Sequence, residues 1–348
     1  MARSTGKVRA ARLTDLAALG ELSRLAQGGD EGMRSLGLPV SGPPIGMFSL
    51  FRLPLGAFQP HDVLYVFDRD SHIAGLLRVE RESQRDEWTV VELDAVDGLD
   101  AGDVRFRLVQ HLLRDGAKRG AVRFHVACAD ADDNVELFMQ AGFARYGDER
   151  VLFRPAAQPL PAAMADDEAR QAGIRTAVAQ DAVALSRLYA AVTPAPVQRL
   201  EDVRMADWER QGRERRVPRS SLAPILRFAD VEGYVQEAPG GGRDGTQLDA
   251  LVQVGVAKED QPHYLKVLAR PEADVAPLIR YALGVICARA DATSLRGRGV
   301  LAPVRTYESP IDRRLEEEGF EAIATVTLLM KETLVRVEEP RLVPAGVR

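Results

Sequence analysis

The chain repeats itself, and the repeat limits the folds open to it more than any other feature. "VRAARLTDLAALGELSRLA" from Val8 reads against "IRTAVAQDAVALSRLYAAV" from Ile174. Each stretch offers a short strand, a turn, an aspartate able to cap a helix (Asp15, Asp181), then apolar residues at helical spacing. A second matching pair closes the two halves: "NVELFMQAGFARYGDERVLFR" with Gly142–Phe143, and "IDRRLEEEGFEAIATVTLLMKET" with Gly319–Phe320. The glycine suits a helix C-terminus needing positive φ, and the phenylalanine opens the next strand. The starts lie 166 residues apart and the ends 177, so the second copy is longer by 11. A hairpin loop "GGGRDG" at 240–245 and the Arg-rich stretch after Trp208 absorb that excess. At 348 residues the chain fits two domains. The expected division is 1–154, a connection at 155–173, 174–335 and a tail at 336–348. The connection is rich in Pro and Ala and has no period, which marks a linker.

After its first helix, copy one reads strand, strand, strand, helix, strand, helix, strand. The strands are "DVLYVFD", "HIAGLLRVERE", "EWTVVELDAV", "VRFHVACA" and "RYGDERVLFR", and the main helix is "DVRFRLVQHLLRDGAKRG" with Val104, Leu108, Leu112 and Leu113 as its stripe. Copy two repeats the order through "GYVQEA", "LDALVQVGVAKE", "HYLKVLAR", the helix "ADVAPLIRYALGVICARA" and "GVLAPVRT". Strands and helices mixed in this way imply an α+β (mixed α/β) sheet domain, twice.

A net charge of −5 gives no global pull toward nucleic acid or an anionic membrane, and neither is an expected partner. No apolar run approaches a bilayer-spanning length, and "MARSTGKVRAARLTDL" lacks the apolar centre of a secretory signal. Cys128 and Cys287 stand far apart, which excludes a disulfide framework or a cysteine zinc site and suits a reducing cytoplasm. His61, His72, His111, His125 and His263 show no metal-ligand spacing, so no metal is expected.

The order of elements, "WTVVELDAV", the crossover helix and "HVACADADDNVELFMQAGF" resemble the GNAT superfamily of acyl-CoA-dependent N-acyltransferases, in tandem. The resemblance covers roughly 1–154 and 174–335. It implies two domains, each a mixed, largely antiparallel sheet with a crossover helix between parallel central strands. It implies acetyl-CoA as cosubstrate, with the pantetheine arm on the backbone at Ala95 and Val96. The family's pyrophosphate loop, (R/Q)-x-x-G-x-(G/A), then falls on Gly98, Ala101 and Gly102, with Arg105 and Arg107 nearby. Aligned back from Gly120, its three motif positions hold Asp100, Asp103 and Arg105. Copy two has no glycine there and carries Glu272 and Asp274. A helix N-terminus favours an anion, and Asp103 or Asp274 could be that anion as an N-cap. Such a carboxylate repels a pyrophosphate unless Arg105, Arg107 or Arg270 compensates. "RGRGVL" at 296–301, which also looks phosphate-binding, comes after the second crossover helix and is expected to be a plain helix-to-strand loop.

Alternation puts Trp88, Val90, Glu92 and Asp94 on one strand face. Glu92 and Asp94 are the candidate catalytic bases; otherwise they reach solvent or pair with Arg78 or Arg123. The family's thiol-protonating Tyr position holds Phe138 in copy one and Leu315 in copy two, leaving Tyr146 or Tyr307 as substitutes. The apolar stretch 42–58 either walls the acceptor site or packs between copies. The expected function is acetyl-CoA-dependent acetylation of an amine (a small molecule, a protein N-terminus or a lysine), with copy two structural. The alternative is a non-catalytic binding or assembly module that no longer binds acetyl-CoA.

Overall fold

The computed structural model describes residues 6–28, 36–38, 62–70, 72–81, 86–96, 98, 100–131, 133–159, 161–209, 219–226, 228–240, 247–257, 261–292 and 298–333. The stretch 42–58, most of the 240–245 loop and of the Arg-rich stretch, and the tail 336–348 lie outside the described residues. Copy one contains β1 (Lys7–Ala10), α1 (Leu16–Gly28), β2 (Asp62–Arg69), β3 (His72–Arg81), β4 (Glu87–Ala95), α2 (Ala101–Lys118), β5 (Arg123–Ala129), α3 (Asn134–Gln140) and β6 (Ala144–Arg154). The connection carries α4 (Asp166–Gln171). Copy two contains β7 (Ile174–Thr176), α5 (Ala182–Val192), α6 (Ala195–Glu201), α7 (Met205–Glu209), β8 (Phe228–Glu237), β9 (Leu248–Ala257), β10 (His263–Ala269), α8 (Ala276–Ala292), β11 (Val300–Arg305), α9 (Ser309–Glu317) and β12 (Glu321–Glu332).

Two separate sheets were expected, but the strands form one, in the order β1-β2-β3-β4-β5-β12-β6-β11-β10-β9-β8-β7. The copies have exchanged their closing strands. β12 of copy two pairs with β5 of copy one, and β6 of copy one pairs with β11 of copy two. The order reads the same when the copies are interchanged, so the molecule has an internal pseudo-twofold. Its axis passes where Glu149 pairs with its own counterpart, Val326, in the β6–β12 ladder. The parallel pairs are β4–β5 and β10–β11, each bridged by a crossover helix, α2 or α8.

The exchanged strands tie down the other copy's last helix. Gly142 (φ +87°) and Gly319 (φ +86°) end α3 and the turn after α9, as the Gly-Phe pairs require. Lys331 on β12 donates to the Ala141 carbonyl at 2.6 Å, and its counterpart Arg154 on β6 donates to the Glu318 carbonyl at 2.9 Å. A cation at each helix C-terminus meets carbonyls that have no partner within the helix.

The two aspartates of the repeat also match, though not as side-chain caps of α1 and α5. Asp15 accepts the Arg12 N–H at 2.7 Å and pairs with Arg9 at 2.6 Å. Asp181 accepts the Val178 N–H at 2.8 Å and pairs with Arg175 at 2.8 Å. Each closes a short 3₁₀ turn that feeds its helix.

One sheet face packs on α2 through Val104, Leu108 and Leu112, and on α8 through Leu278, Ala282 and Ile286. The opposite face packs on α1 and α5 through Leu19, Leu22, Leu185 and Leu188. Each such buried Leu or Val contributes about 1.5–3 kcal/mol. The connection at 155–173 is not a free tether: Ala169 on α4 is buried in the core of copy two, with Met164 and Ala172 beside it. No helix among the described residues is long and apolar enough to cross a membrane.

Candidate functional site

β4 and β5 run together only from Glu87–Arg123 to Val90–Val126, then part. A bulge explains where they part. Opposite β3, Val90 pairs with Val79 and Glu92 with Arg78, so Val91 has no ladder partner. An extra residue bends its strand and increases local twist, which swings the end of β4 away from β5.

The bulge also resets the alternation. Trp88, Val90, Leu93 and Ala95 face α2 in one core, whereas Glu92 and Asp94 lie on the α1 face with Thr89. The expected grouping of Trp88 and Val90 with Glu92 and Asp94 is therefore wrong, because strict period-two counting cannot see an inserted residue. Glu92 forms a buried ion pair with Arg78, its cross-strand neighbour, at 3.0 Å. Asp94 is fully buried. Neither lines the cleft described below.

On the α2 side, the expected cofactor residues gather at the start of the helix. Ala95 packs into the core, and Val96 donates its N–H to the Ala74 carbonyl at 3.0 Å, on the β3 side. Ala101 opens α2 and donates to the Gly98 carbonyl at 3.1 Å. A Cβ added at Gly102, in the first turn of α2, would meet nothing within 4 Å among the described residues. Asp103 was expected as an N-cap, but it is the third residue of α2 and pairs with Arg107 at 3.8 Å. The N-cap is Asp100, which makes no side-chain cap bond and pairs with Arg69 instead. Arg107 also donates to the Gly6 carbonyl at 2.8 Å, and Arg105 reaches Asn134, buried at the start of α3, at 2.9 Å. Both carboxylates thus have guanidinium partners. Among the described residues at this helix end, Arg69, Arg105 and Arg107 stand beside Asp100 and Asp103, so the two carboxylates are compensated.

On the α1 face the splay opens into a shallow cleft open to solvent, with a cavity volume of about 30 Å³. Thr89, His125 and Tyr146 of copy one face Arg219, Ser220 and Ser221 of copy two across it. His125 Nε2 lies 3.4 Å from the buried Glu87 carboxylate, which also pairs with Arg219 and with Arg123 at 3.4 Å. Burial pushes the Tyr146 hydroxyl up from its ordinary value, so it stays protonated. At the cleft wall, Arg305 binds Glu149 at 3.2 Å and Glu201 at 2.7 Å, near the pseudo-twofold. Burial opposes its charge, but the two carboxylates outweigh that and hold it well above the usual arginine value. Sequence spacing passed over His125. The available signal was a histidine inside the apolar strand "VRFHVACA", at the inward alternation opposite Phe124 and Val126.

Copy two is built differently at the matching place. β10 and β11 share only His263–Val300 and Tyr264–Leu301, and β10 has no bulge against β9. Two residues past the last pair, the buried Lys266 bridges to Glu308 at 2.7 Å, closing the gap between the diverging strands. At the start of α8, Asp274 does supply its carboxylate to the Ala276 N–H, at 3.3 Å. "RGRGVL" is a lead-in to β11 as expected; Gly299 touches the Phe153 ring, and 296–297 lie outside the described residues. Phe138 and Leu315, which stand where the family's tyrosine would be, are core residues, and burial pushes the Tyr307 hydroxyl up. Among the described residues no three His, Cys, Asp or Glu side chains gather as metal ligands.

No family model and no curated protein matches the sequence. Solved structures do. A tandem GNAT protein from the clavulanic acid biosynthesis pathway matches with a TM-score of 0.55 at 13% identity, over 96% of this chain and 100% of that one. A GCN5-related N-acetyltransferase from Sphaerobacter thermophilus matches with a TM-score of 0.53 at 16% identity, over 94% of this chain and 95% of that one. At such identities the likeness speaks for architecture alone. With two crossover units, two splayed parallel pairs and matches spanning nearly the whole chain, the protein has the tandem GNAT fold.

Proposed function

We propose that the chain is an acyl-CoA-dependent N-acyltransferase whose single reaction site lies in copy one, with acetyl-CoA as cosubstrate. The observation that carries this is the β4–β5 splay. It opens at Val91 onto a compensated helix N-terminus on one face and the cleft with His125 and Tyr146 on the other. The β4 backbone past Val90 would hold the pantetheine arm, and α2 with Arg69, Arg105 and Arg107 would hold the pyrophosphate. The thioester supplies the activated acyl group. In the transfer, the amine nitrogen bonds to the acyl carbon and the C–S bond breaks. His125, oriented by Glu87, takes the proton from the amine, and Tyr146 protonates the departing thiolate. Glu92, neutralised by Arg78, and Asp94 keep the strand end in place rather than reaching the amine. Copy two, its splay bridged by Lys266 and Glu308, is structural and walls the cleft.

Release of free CoA thiol from acetyl-CoA in the presence of primary amines tests the reading. His125→Gln lowers the rate by about 10²-fold or more. The acetyl-CoA-induced rise in melting temperature, about 5–10 °C at a hundredfold excess over Kd, stays in place. A variant as fast as the native protein removes His125 from the mechanism, and no thermal shift in the native protein removes acetyl-CoA.

A further inference from the structure

We infer that the acceptor is a small primary amine with an uncharged, apolar body, and that copy two sets this preference. The inference rests on copy one being the reaction site and adds the chemistry of what enters it. The argument is one of charge. No aspartate or glutamate lines the cleft among the described residues, so a polyamine finds no carboxylate to pair with its further ammonium groups. The two guanidinium groups that do line it are held from behind, Arg219 by Glu87 and Arg305 by Glu149 and Glu201. Each guanidinium is already neutralised by a buried carboxylate, so neither offers an uncompensated charge to an acceptor carrying a carboxylate or phosphate. What remains is apolar. Val91 and Ala127 of copy one, Leu328 on the exchanged strand, and Pro224 and Ile225 of copy two form the walls. Hydroxyls of Ser220 and Tyr146 and the His125 ring lie among them. The Ser220 hydroxyl accepts from Tyr264 at 2.9 Å and from the Ala223 N–H at 3.1 Å, so copy two's wall is fixed in place. Such walls favour an uncharged apolar body over a charged one and leave one polar end for the amine at His125.

The test reads binding without needing turnover. The protein, labelled with ¹⁵N-histidine, has five histidines, and His125→Gln identifies the signal of interest. Phenethylamine at millimolar concentration is expected to shift the His125 ring signals, while spermidine and glutamate at equal concentration leave them in place. Ile225→Trp, which fills the cleft from copy two, weakens the phenethylamine effect at least tenfold. Leu38→Trp at the half-buried rim does the same should Ile225→Trp fail to fold. Absence of a phenethylamine shift, an equal or larger shift with spermidine or glutamate, or an unchanged effect in a folded cleft variant overturns the inference. Acetyl-CoA binding is measured separately by thermal shift. Loss of that binding alone strikes the acyltransferase reading, and loss of the amine shift alone strikes this one.

Discussion

Replacing Arg305 with Met is the sharpest test of how the two copies are held together. The guanidinium sits near the pseudo-twofold with side-chain exposure of 3%, and its partners Glu149 and Glu201 are 0% and 1% exposed. Glu149 belongs to copy one and Glu201 to copy two, so Arg305 neutralises one carboxylate from each. Ser221 adds a backbone donor to Glu149 at 2.8 Å, and Tyr189 a hydroxyl to Glu201 at 2.8 Å. These bonds orient the carboxylates but do not neutralise them. Removing one member of a buried pair costs about 3–5 kcal/mol, because the charge left behind has lost both water and partner. Here Arg305 is the cationic partner shown for two buried carboxylates, so a loss of that size is expected. For a chain this long the shift in melting temperature is about 2 °C per kcal/mol, hence roughly 6–10 °C. Urea unfolding followed by circular dichroism measures the loss as a fall in midpoint at constant slope. The decisive comparison adds Glu149→Gln and Glu201→Gln to Arg305→Met. Replacing a whole buried ion set by neutral groups is often close to neutral, so the triple variant should recover more than half of the loss. A single-variant cost below about 1 kcal/mol, or a triple variant no better than the single, would show that the network does not join the copies as argued.

Glu92→Ala leaves Arg78 buried without its carboxylate. It is expected to cost about 3–5 kcal/mol in urea unfolding, well beyond a typical surface substitution. The matched aspartates predict acid sensitivity. The Arg9 hydrogen bonds hold Asp15 below the ordinary carboxylate range; at Asp181 burial acts upward but is outweighed by Arg175 and the Val178 amide. A folded value below the unfolded one, about 3.9, adds stability that is present above that pH and lost as pH falls through the folded value. Stability should therefore fall on acidification below about pH 4, and the Asp15→Asn, Asp181→Asn pair should show a flatter fall in the same titration.

Much of the architecture was legible because it is local. The two crossover helices, the Gly-Phe endings and the decoy loop follow from period, capping and order. The strand exchange was not legible: β6 and β12 carry the pattern of a closing strand, and that pattern fits beside β5 or β11 equally well. The bulge at Val91 was hidden for a related reason, since "TVVEL" alternates acceptably with or without an extra residue. It moved Glu92 and Asp94 to the other face. The charge balance at α2 depends on Arg69, which meets Asp100 across 31 residues of chain. No window of helical sequence contains that pairing. His125 acquires its place from three elements at once, with Glu87 behind it and copy two's Arg219–Ile225 opposite.

The central claim is one acyl-CoA site per chain, at the N-terminal splay. Isothermal titration of the full chain with acetyl-CoA addresses it directly. The predicted stoichiometry is one. Gly102→Glu, which places a carboxylate in the first turn of α2 without a steric clash at Cβ, should abolish the binding heat. Lys266→Met in copy two should leave it unchanged. A stoichiometry of two, no binding at all, or binding that survives Gly102→Glu would contradict the account.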